Sequence, residues 1–317
     1  MGKLSVSVAM TTYNGDKYLK EQLDSIKNQT YEICEVIICD DGSKDDTEQV
    51  VENYINSNNL SKHWRYYRNE ENLGPMRNFA HCAKLCSGEI IFYSDQDDKW
   101  EITKVEEMIQ VYKNHEEALA VCCGQQYMYK NEGVKRKRGK FISSGAVKKI
   151  TFEEQVKTMY SSGLCLSFRR DLLDEIEYLV FDRNLTYDVT TGLVAALKGG
   201  MYRIERPLVH RRIHEMNASH PTVMLSDRIN HYQLHIDGRK LQLHHLETIL
   251  EEYNNLLSEI DRRHLVARTD SIRRSIDYLN EFRWWKLFWQ IFSLNPMENR
   301  KLILANTFLA FTVKKKF

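Results

Sequence analysis

The apolar positions of the first hundred residues fall in short continuous runs separated by polar, often glycine-containing turns. Residues 4–10 (LSVSVAM), 34–39 (CEVIIC), 64–68 (WRYYR) and 89–93 (EIIFY) each have the length of a strand. Between them, Leu19, Leu23 and Ile26 recur at helical spacing within 17–29, Val50, Val51 and Tyr54 mark a second helix, and residues 75–86 a third. Strands that are continuously apolar and alternate with helices predict a mainly parallel sheet with helices on both faces, an α/β fold. Either Thr47 or Asp45 is placed to cap the second helix.

Past residue 101 the pattern loosens. It predicts a helix over 104–114, a strand over 118–123, helices near 152–160 and 189–198, and a strand over 201–205. The basic stretch 130–140 (KNEGVKRKRGK) reads as a loop, either solvated or placed to meet a phosphate. Residues 222–282 are helical and amphipathic, with Leu234, Leu241, Leu246, Ile249, Leu256 and Leu257 as the apolar set. The end of the chain crowds Trp284, Trp285, Phe288, Trp289 and Phe292 beside Arg283 and Lys286, breaks at Pro296, and finishes in Lys314, Lys315 and Lys316. No internal repeat is apparent.

Composition narrows the classes. With 317 residues, 42% apolar and 28% charged, the chain can bury one large core or two modest ones. A net charge of +1 gives no reason to expect nucleic acid as a partner. The charge is uneven, however: residues 262–317 hold 12 Lys/Arg against 4 Asp/Glu, which leaves the rest of the chain at −7. The seven cysteines include no CxxC pair and several lie in apolar runs, so they read as reduced thiols packed as small hydrophobes. The first residues, MGKLSVSVAMTTYN, lack the apolar length of a signal peptide, and no run approaches the ~18–20 apolar residues of a membrane span. A cytoplasmic location is expected.

Three polar clusters follow predicted strands: Thr11–Asn14 (TTYN), Asp40–Ser43 (DDGS) and Ser94–Asp98 (SDQDD). In an open parallel sheet, ligands bind beyond the carboxyl ends of the strands. A carboxylate there can accept hydrogen bonds from a base N–H or a ribose hydroxyl. In extended chain, residues i and i+2 face the same way, so Asp95 and Asp97 can converge while Gln96 points elsewhere. Two hard oxygen donors suit Mg2+ or Mn2+ carrying a diphosphate, whose charge grows as it leaves a sugar carbon.

The ordered set Thr11-Thr12-Tyr13-Asn14, Asp40-Asp41-Gly42-Ser43, Asn72-Leu73-Gly74 with Arg77-Asn78, and Asp95-Gln96-Asp97-Asp98 with Trp100 resembles the family-2 glycosyltransferases, which have the GT-A fold. The likeness covers residues 4–220. It implies a GT-A catalytic domain over 1–220, with a nucleotide-binding half (1–100) and an acceptor half (101–220), followed by a helical C-terminal region over 221–317. By that resemblance Thr11, Tyr13, Asp41, Asn72, Arg77 and Asp95 bind the donor, Asp97 ligates the metal, and Trp100 lies on the acceptor or phosphate side. The SDQDD-x-W variant looks most like a subgroup of bacterial polysaccharide enzymes that includes rhamnosyltransferases. The implied activity is inverting, metal-assisted transfer from a nucleotide-diphosphate sugar, dTDP-rhamnose or a UDP-hexose, to a hydroxyl of a bacterial surface polysaccharide or its lipid-linked precursor.

Family members carry a later acidic residue as catalytic base, commonly before an aromatic residue. The matching position is Asp188, here followed by Val189. A carboxylate at a helix N-terminus can be held ionised by free backbone N–H groups and take the acceptor proton, although a helix cap would also place an Asp there. The segment Arg212-x-His214-x-x-Asn217 resembles the family's R-x-H-x-x-N, which would bring His214 to the metal and Arg212 to phosphate charge. His231, His235, His244 and His245, at helical spacing without carboxylate partners, read as an exposed helix face. The aromatic and basic tail over 283–317 suits a membrane surface, and packing against another protein surface is the alternative. A sugar-nucleotide pyrophosphorylase would need a glycine-rich first turn, where this chain has TTYNGDKY. A non-catalytic partner subunit or saccharide-binding module keeps the same fold, with Val189 as its one hint. Oligomeric state is not written in the pattern.

Overall fold

The computed structural model describes residues 2–129, 144–159, 162–214, 232–281 and 283–290, with positions 304 and 307. The basic loop over 130–140, Asn217, His231, Pro296 and Lys314–Lys316 lie outside the described residues. The chain divides into two compact units, one formed by 1–150 with 161–217 and the other by 151–160 with 218–317.

The first unit opens with β1 (Val6–Thr12), α1 (Asp16–Lys27), β2 (Glu35–Asp40), α2 (Thr47–Ser57), β3 (Trp64–Arg68), α3 (Gly74–Lys84) and β4 (Ile90–Ser94). These four strands pair in parallel in the order β3-β2-β1-β4. The alternation expected from the sequence is therefore present, with ends shifted by a residue or two. One face carries Val6, Val8, Met10 and Phe92 into a cluster with Leu19, Leu23 and Ile26 of α1. On the other, the Cys82 thiol of α3 donates to the carbonyls of Met10 and Ile37. Burial on both faces explains why β1, β2 and β4 read as continuous apolar runs, whereas β3, at the sheet edge, buries only Trp64.

The sheet continues through β5 (Lys99–Trp100), β6 (Ala120–Tyr129), β7 (Val147–Lys149), β8 (Leu166–Arg169) and β9 (Met201–Ile213), with α4 (Lys104–Asn114), α6 (Leu173–Phe181) and α7 (Tyr187–Leu197). Its order runs on as β4-β8-β6-β9-β5, with β7 also on β9. β8 is antiparallel to β4 and β6, whereas β6 and β9 are parallel. This half is mixed, and β8 is only four residues long, too short to show a period in sequence. Strand β9 runs well beyond the expected 201–205 because its second half, rich in arginine, pairs with β6 as far as Tyr129↔Ile213.

The cap of α2 differs from both candidates: Asp46 is the N-cap and makes no side-chain cap bond. Asp45 instead accepts the Thr47 N–H at 3.1 Å and its hydroxyl, so the helix start is satisfied from one residue earlier.

The second unit contains α5 (Phe152–Thr158), α8 (Tyr232–Glu252), α9 (Glu259–Asn280) and α10 (Trp284–Gln290). Thr151 and Glu154 form a capping box at α5, and Ser258 caps α9 through the Asp261 N–H. Of the expected apolar set, Leu246, Ile249 and Leu257 are buried, but Leu234 and Leu256 are about two-thirds exposed and Leu241 is also exposed. The buried stripe instead takes in Ile236 and Tyr253, with Leu265, Ile272 and Leu279 from α9. His245 also departs from expectation. It is buried, its Nδ1 2.7 Å from the Leu241 carbonyl one turn back, a local partner that makes burial affordable for an imidazole.

Candidate active site

The ends of β1 and β2 are tied together by side chains. Asp40, wholly buried, accepts from the Thr12 hydroxyl at 2.9 Å, from the Ser43 hydroxyl, and from the N–H groups of Gly42 and Ser43. It braces the loop and leaves Asp41 to face the α3 side. Asp41 accepts from Leu73 N–H (2.8 Å), Gly74 N–H (2.9 Å) and the Asn69 amide (2.9 Å), while Asn72 Nδ2 donates to the Asp41 carbonyl at 2.8 Å. Asn72 Oδ1 accepts the Gly74 N–H as well. The turn needs Gly74, whose φ is +77°, and Asp41 holds it at the N-terminus of α3. Three of the roughly four lone-pair positions of a carboxylate are thus filled before any ligand arrives. Thr11 lies at the end of β1 in register with Cys39. Tyr13 is 47% exposed, which leaves its side chain open to a flat group. Arg77 projects from α3 with its guanidinium 5.8 Å from the Phe181 ring.

At the end of β4, Asp97 Oδ2 lies 2.7 Å from His214 Nε2, joining two residues 117 positions apart. The Tyr18 ring lies beside that imidazole, tilted by 35° with centroids 4.8 Å apart. Arg212, on the same side of β9, donates from Nε to the Asp97 carbonyl (2.9 Å), pairs with Glu21, and lies 4.7 Å over the Tyr18 ring. Its guanidinium therefore supports the Asp97 loop rather than standing open toward a phosphate. Asp98 is buried, accepts the Arg212 N–H at 2.9 Å through Oδ1, and among the described residues has no hydrogen-bond partner for Oδ2.

Trp100, expected on the acceptor or phosphate side, is 2% exposed and belongs to the core. Its ring covers the ammonium of fully buried Lys104 at 3.4 Å, and Lys104 also donates to the Leu164 carbonyl at 2.8 Å. The aromatic ring and one carbonyl replace water around that charge, which is the physical reason for the tryptophan. Burial still pushes the Lys104 amine down to about 8.

Asp188 is the second residue of α7, with Thr186 as N-cap, so it is not itself the cap. Its Oδ1 accepts the Val189 N–H at 2.8 Å. Burial nevertheless pushes its carboxyl above the usual range, outweighing that bond and those from Thr186 and Gly163. The expected dominance of the helix N-terminus does not hold, because desolvation is the larger effect. Asp95 is pushed up to about 7 by burial and then by the Asp97 and Asp188 carboxyls; Arg211 opposes this. Asp98 is raised by burial and by Asp95 and Asp97. Four carboxyls, three from the loop after β4 and one from α7, are thus linked through Asp95.

Asp95, Asp97, Asp188 and His214 are brought together; Asp41, Asn72 and Tyr13 stand at the neighbouring strand ends. The sequence reading named Asp40 and Asp98 within motifs but gave them no role, and it overlooked Lys104 and Arg211. No signal was available for Arg211, because its strand is not predicted past residue 205; in the structure it lies in β9 next to Arg212. A divalent cation could be held by Asp97 and His214. Among the described residues no group of three or more His, Cys, Asp or Glu forms a metal cage. That fits a cation that completes its shell with diphosphate oxygens and water, as Mg2+ and Mn2+ sites on carboxylates do.

A parallel β1–β4 sheet with acidic strand ends, continued by a mixed half that carries an Asp–His pair, defines a nucleotide-sugar transferase of GT-A fold. Residues 7–177, more than half of the chain, match the family described as Glycosyl transferase family 2, and the chain belongs to that family. It is a glycosyltransferase that uses nucleotide-sugar donors. EpsH of Bacillus subtilis (strain 168) is 25% identical over 88% of this chain and 78% of its own length. WfgD of Escherichia coli, a UDP-Glc:alpha-D-GlcNAc-diphosphoundecaprenol beta-1,3-glucosyltransferase, is 28% identical over 55% of this chain and 63% of its own. Matches to two further relatives span 36% and 32% of those proteins. Among solved structures, the mannosyltransferase PcManGT of Pyrobaculum calidifontis, in complex with GDP-Man and Mn2+, superposes with a TM-score of 0.55 over 98% of this chain and 87% of its own, at 16% identity.

Proposed function

We propose that the protein carries out inverting transfer of a sugar, from dTDP-rhamnose or a UDP-hexose, to a hydroxyl of a bacterial polysaccharide or its lipid-linked precursor. The observation that carries this reading is the meeting of Asp97 with His214 in the same charge field as Asp188. Thr11, Tyr13, Asp41, Asn72 and Arg77 bind or shape the nucleotide end of the donor, and Asp95 holds the sugar end. A divalent cation, Mg2+ or Mn2+, held by Asp97 and His214 would offset the charge that grows on the leaving diphosphate. Asp188 takes the proton of the acceptor hydroxyl as its oxygen attacks the anomeric carbon from the face opposite the diphosphate. A carboxyl raised toward neutrality is a better acceptor for that proton than an ordinary one, provided it is ionised at the working pH. Arg212 acts indirectly, by fixing the Asp97 carbonyl.

The lipid-diphosphate acceptor in the name of WfgD supports the lipid-linked reading. Such an acceptor gives a use to α10, where Trp285, Phe288 and Trp289 are exposed beside Lys286, and we place the protein on the inner face of the cell membrane. Among the described residues no helix is long and apolar enough to cross a membrane. The test is nucleotide release from dTDP-rhamnose, UDP-glucose, UDP-galactose and UDP-N-acetylglucosamine by the full chain, with Mn2+ and with chelator. Release from one donor, dependent on Mn2+, is expected. Equal turnover with chelator would remove the cation from the account.

A further inference from the structure

Gln96 separates the two carboxylates of the Asp95–Asp97 pair, and its side chain turns away from both toward the loop after β1. The carboxamide makes two hydrogen bonds to a single residue: it accepts the Tyr13 N–H at 2.8 Å and donates to the Tyr13 carbonyl at 3.0 Å. The rest of that loop is fastened elsewhere. Asn14 N–H donates to the Ser43 hydroxyl at 2.8 Å, Lys44 N–H to Asn14 Oδ1 at 2.8 Å, and Gly15 N–H to the Thr47 hydroxyl at 2.8 Å. Asn14 and Gly15 are therefore tied to the chain after β2, and Tyr13 is tied to the chain after β4 through Gln96.

Gly15 completes the arrangement. It is the N-cap of α1, with φ −114° and ψ 4°, a conformation open to any L-residue, so the backbone does not require glycine there. Space does. A Cβ at Gly15 would stand 2.1 Å from Gln96 Oε1, 2.4 Å from Cδ and 3.0 Å from Nε2, and these are its three nearest atoms. An alanine would force the carboxamide off Tyr13 by swinging the far end of a flexible side chain.

We propose that Gln96 is a positioning residue that latches the nucleotide-facing Tyr13 loop to the Asp95–Asp97 loop, with Gly15 kept bare to admit it. This rests on the donor-site reading above, in which Tyr13 meets the nucleotide and Asp97 the diphosphate side. The latch fixes the distance between those two ends before the donor binds, so its loss weakens donor binding more than it slows the bound complex.

The test uses the full chain and its Gln96→Ala, Gly15→Ala and double variants, with calorimetric binding of UDP, dTDP and GDP, donor KM and kcat, and hydrogen exchange at the Tyr13 amide. Each single variant is expected to bind the preferred nucleotide about tenfold more weakly, from the loss of the same two hydrogen bonds, with kcat changed less than about threefold. The double variant is expected to be no worse than either single one, because in the absence of Gln96 the added methyl has nothing to displace. The Tyr13 amide should exchange fast in all three variants and slowly in the wild type. Losses that multiply in the double variant, or wild-type affinity in either single variant, would overturn the latch. If the wild type binds none of the nucleotides, the donor-site reading fails, and exchange at the Tyr13 amide still decides whether the latch exists.

Discussion

In the loops after β1, β2 and β4, polar side chains are committed to backbone before any ligand is present: Asp40 to Gly42 and Ser43, Asp41 to Leu73 and Gly74, Gln96 to Tyr13. The side built by α7 is arranged differently. Asp188 accepts the Val189 N–H, with further bonds from Thr186 and Gly163, yet sits where burial outweighs them and works against its charge. A side that must recognise one nucleotide gains from fixed geometry, whereas a group that must change protonation state each turnover gains from a raised, adjustable pKa. Shape is built on the first side and proton affinity on the second.

The comparison can be broken most directly at the Asp97–His214 pair. We expect Asp97→Ala to lower transfer at least 10³-fold and His214→Ala by about 10- to 100-fold, with part of the His214 loss restored by higher Mn2+, measured as nucleotide release across a metal titration. Asp41→Ala should act on shape instead. It takes the acceptor from the half-buried Leu73 N–H, while the Gly74 N–H keeps Asn72 Oδ1 and the Asn69 amide keeps Asn78 Oδ1, so a stability loss of about 1–3 kcal/mol is expected in urea, together with a higher donor KM. The pH dependence separates the sides further. With the Asp188 carboxyl raised by burial, kcat is expected to fall on acidification from above the ordinary carboxylate range, and Asp188→Glu should shift that limb; donor binding through Asp41 should not follow it. The smallest effect is at Lys104. Burial lowers its amine from 10.5 to about 8, so between those values the unfolded chain holds a proton that the folded chain has lost. Stability from this group therefore rises with pH across that window, and melting of the wild type should gain on Lys104→Met between about pH 8 and 10.

Strands β1, β2 and β4 were legible because strands buried on both faces must be continuously apolar, and the polar clusters at their ends stood out against them. The later half was hidden for physical reasons. Strand β8 is four residues long, and the arginine-rich end of β9 carries no apolar period, although it places Arg211, Arg212 and His214. Trp100 was expected at the site only because it belongs to the SDQDD-x-W motif that carries the resemblance; in the structure its ring covers the buried Lys104 four positions on. The i, i+2 spacing pointed to Asp97 and the R-x-H-x-x-N resemblance to His214, but Gln96 became meaningful only with the loop it reaches, and the burial that governs Asp188 has no sequence signature.

The central claim is the division between a donor side and a proton-accepting residue, and Asp188→Ala tests it most directly, with donor binding by calorimetry and sugar transfer measured on the same preparation. The account predicts donor affinity within about threefold of the wild type and transfer reduced at least 10³-fold. Retained transfer would contradict Asp188 as the base, and loss of donor binding would contradict the division itself.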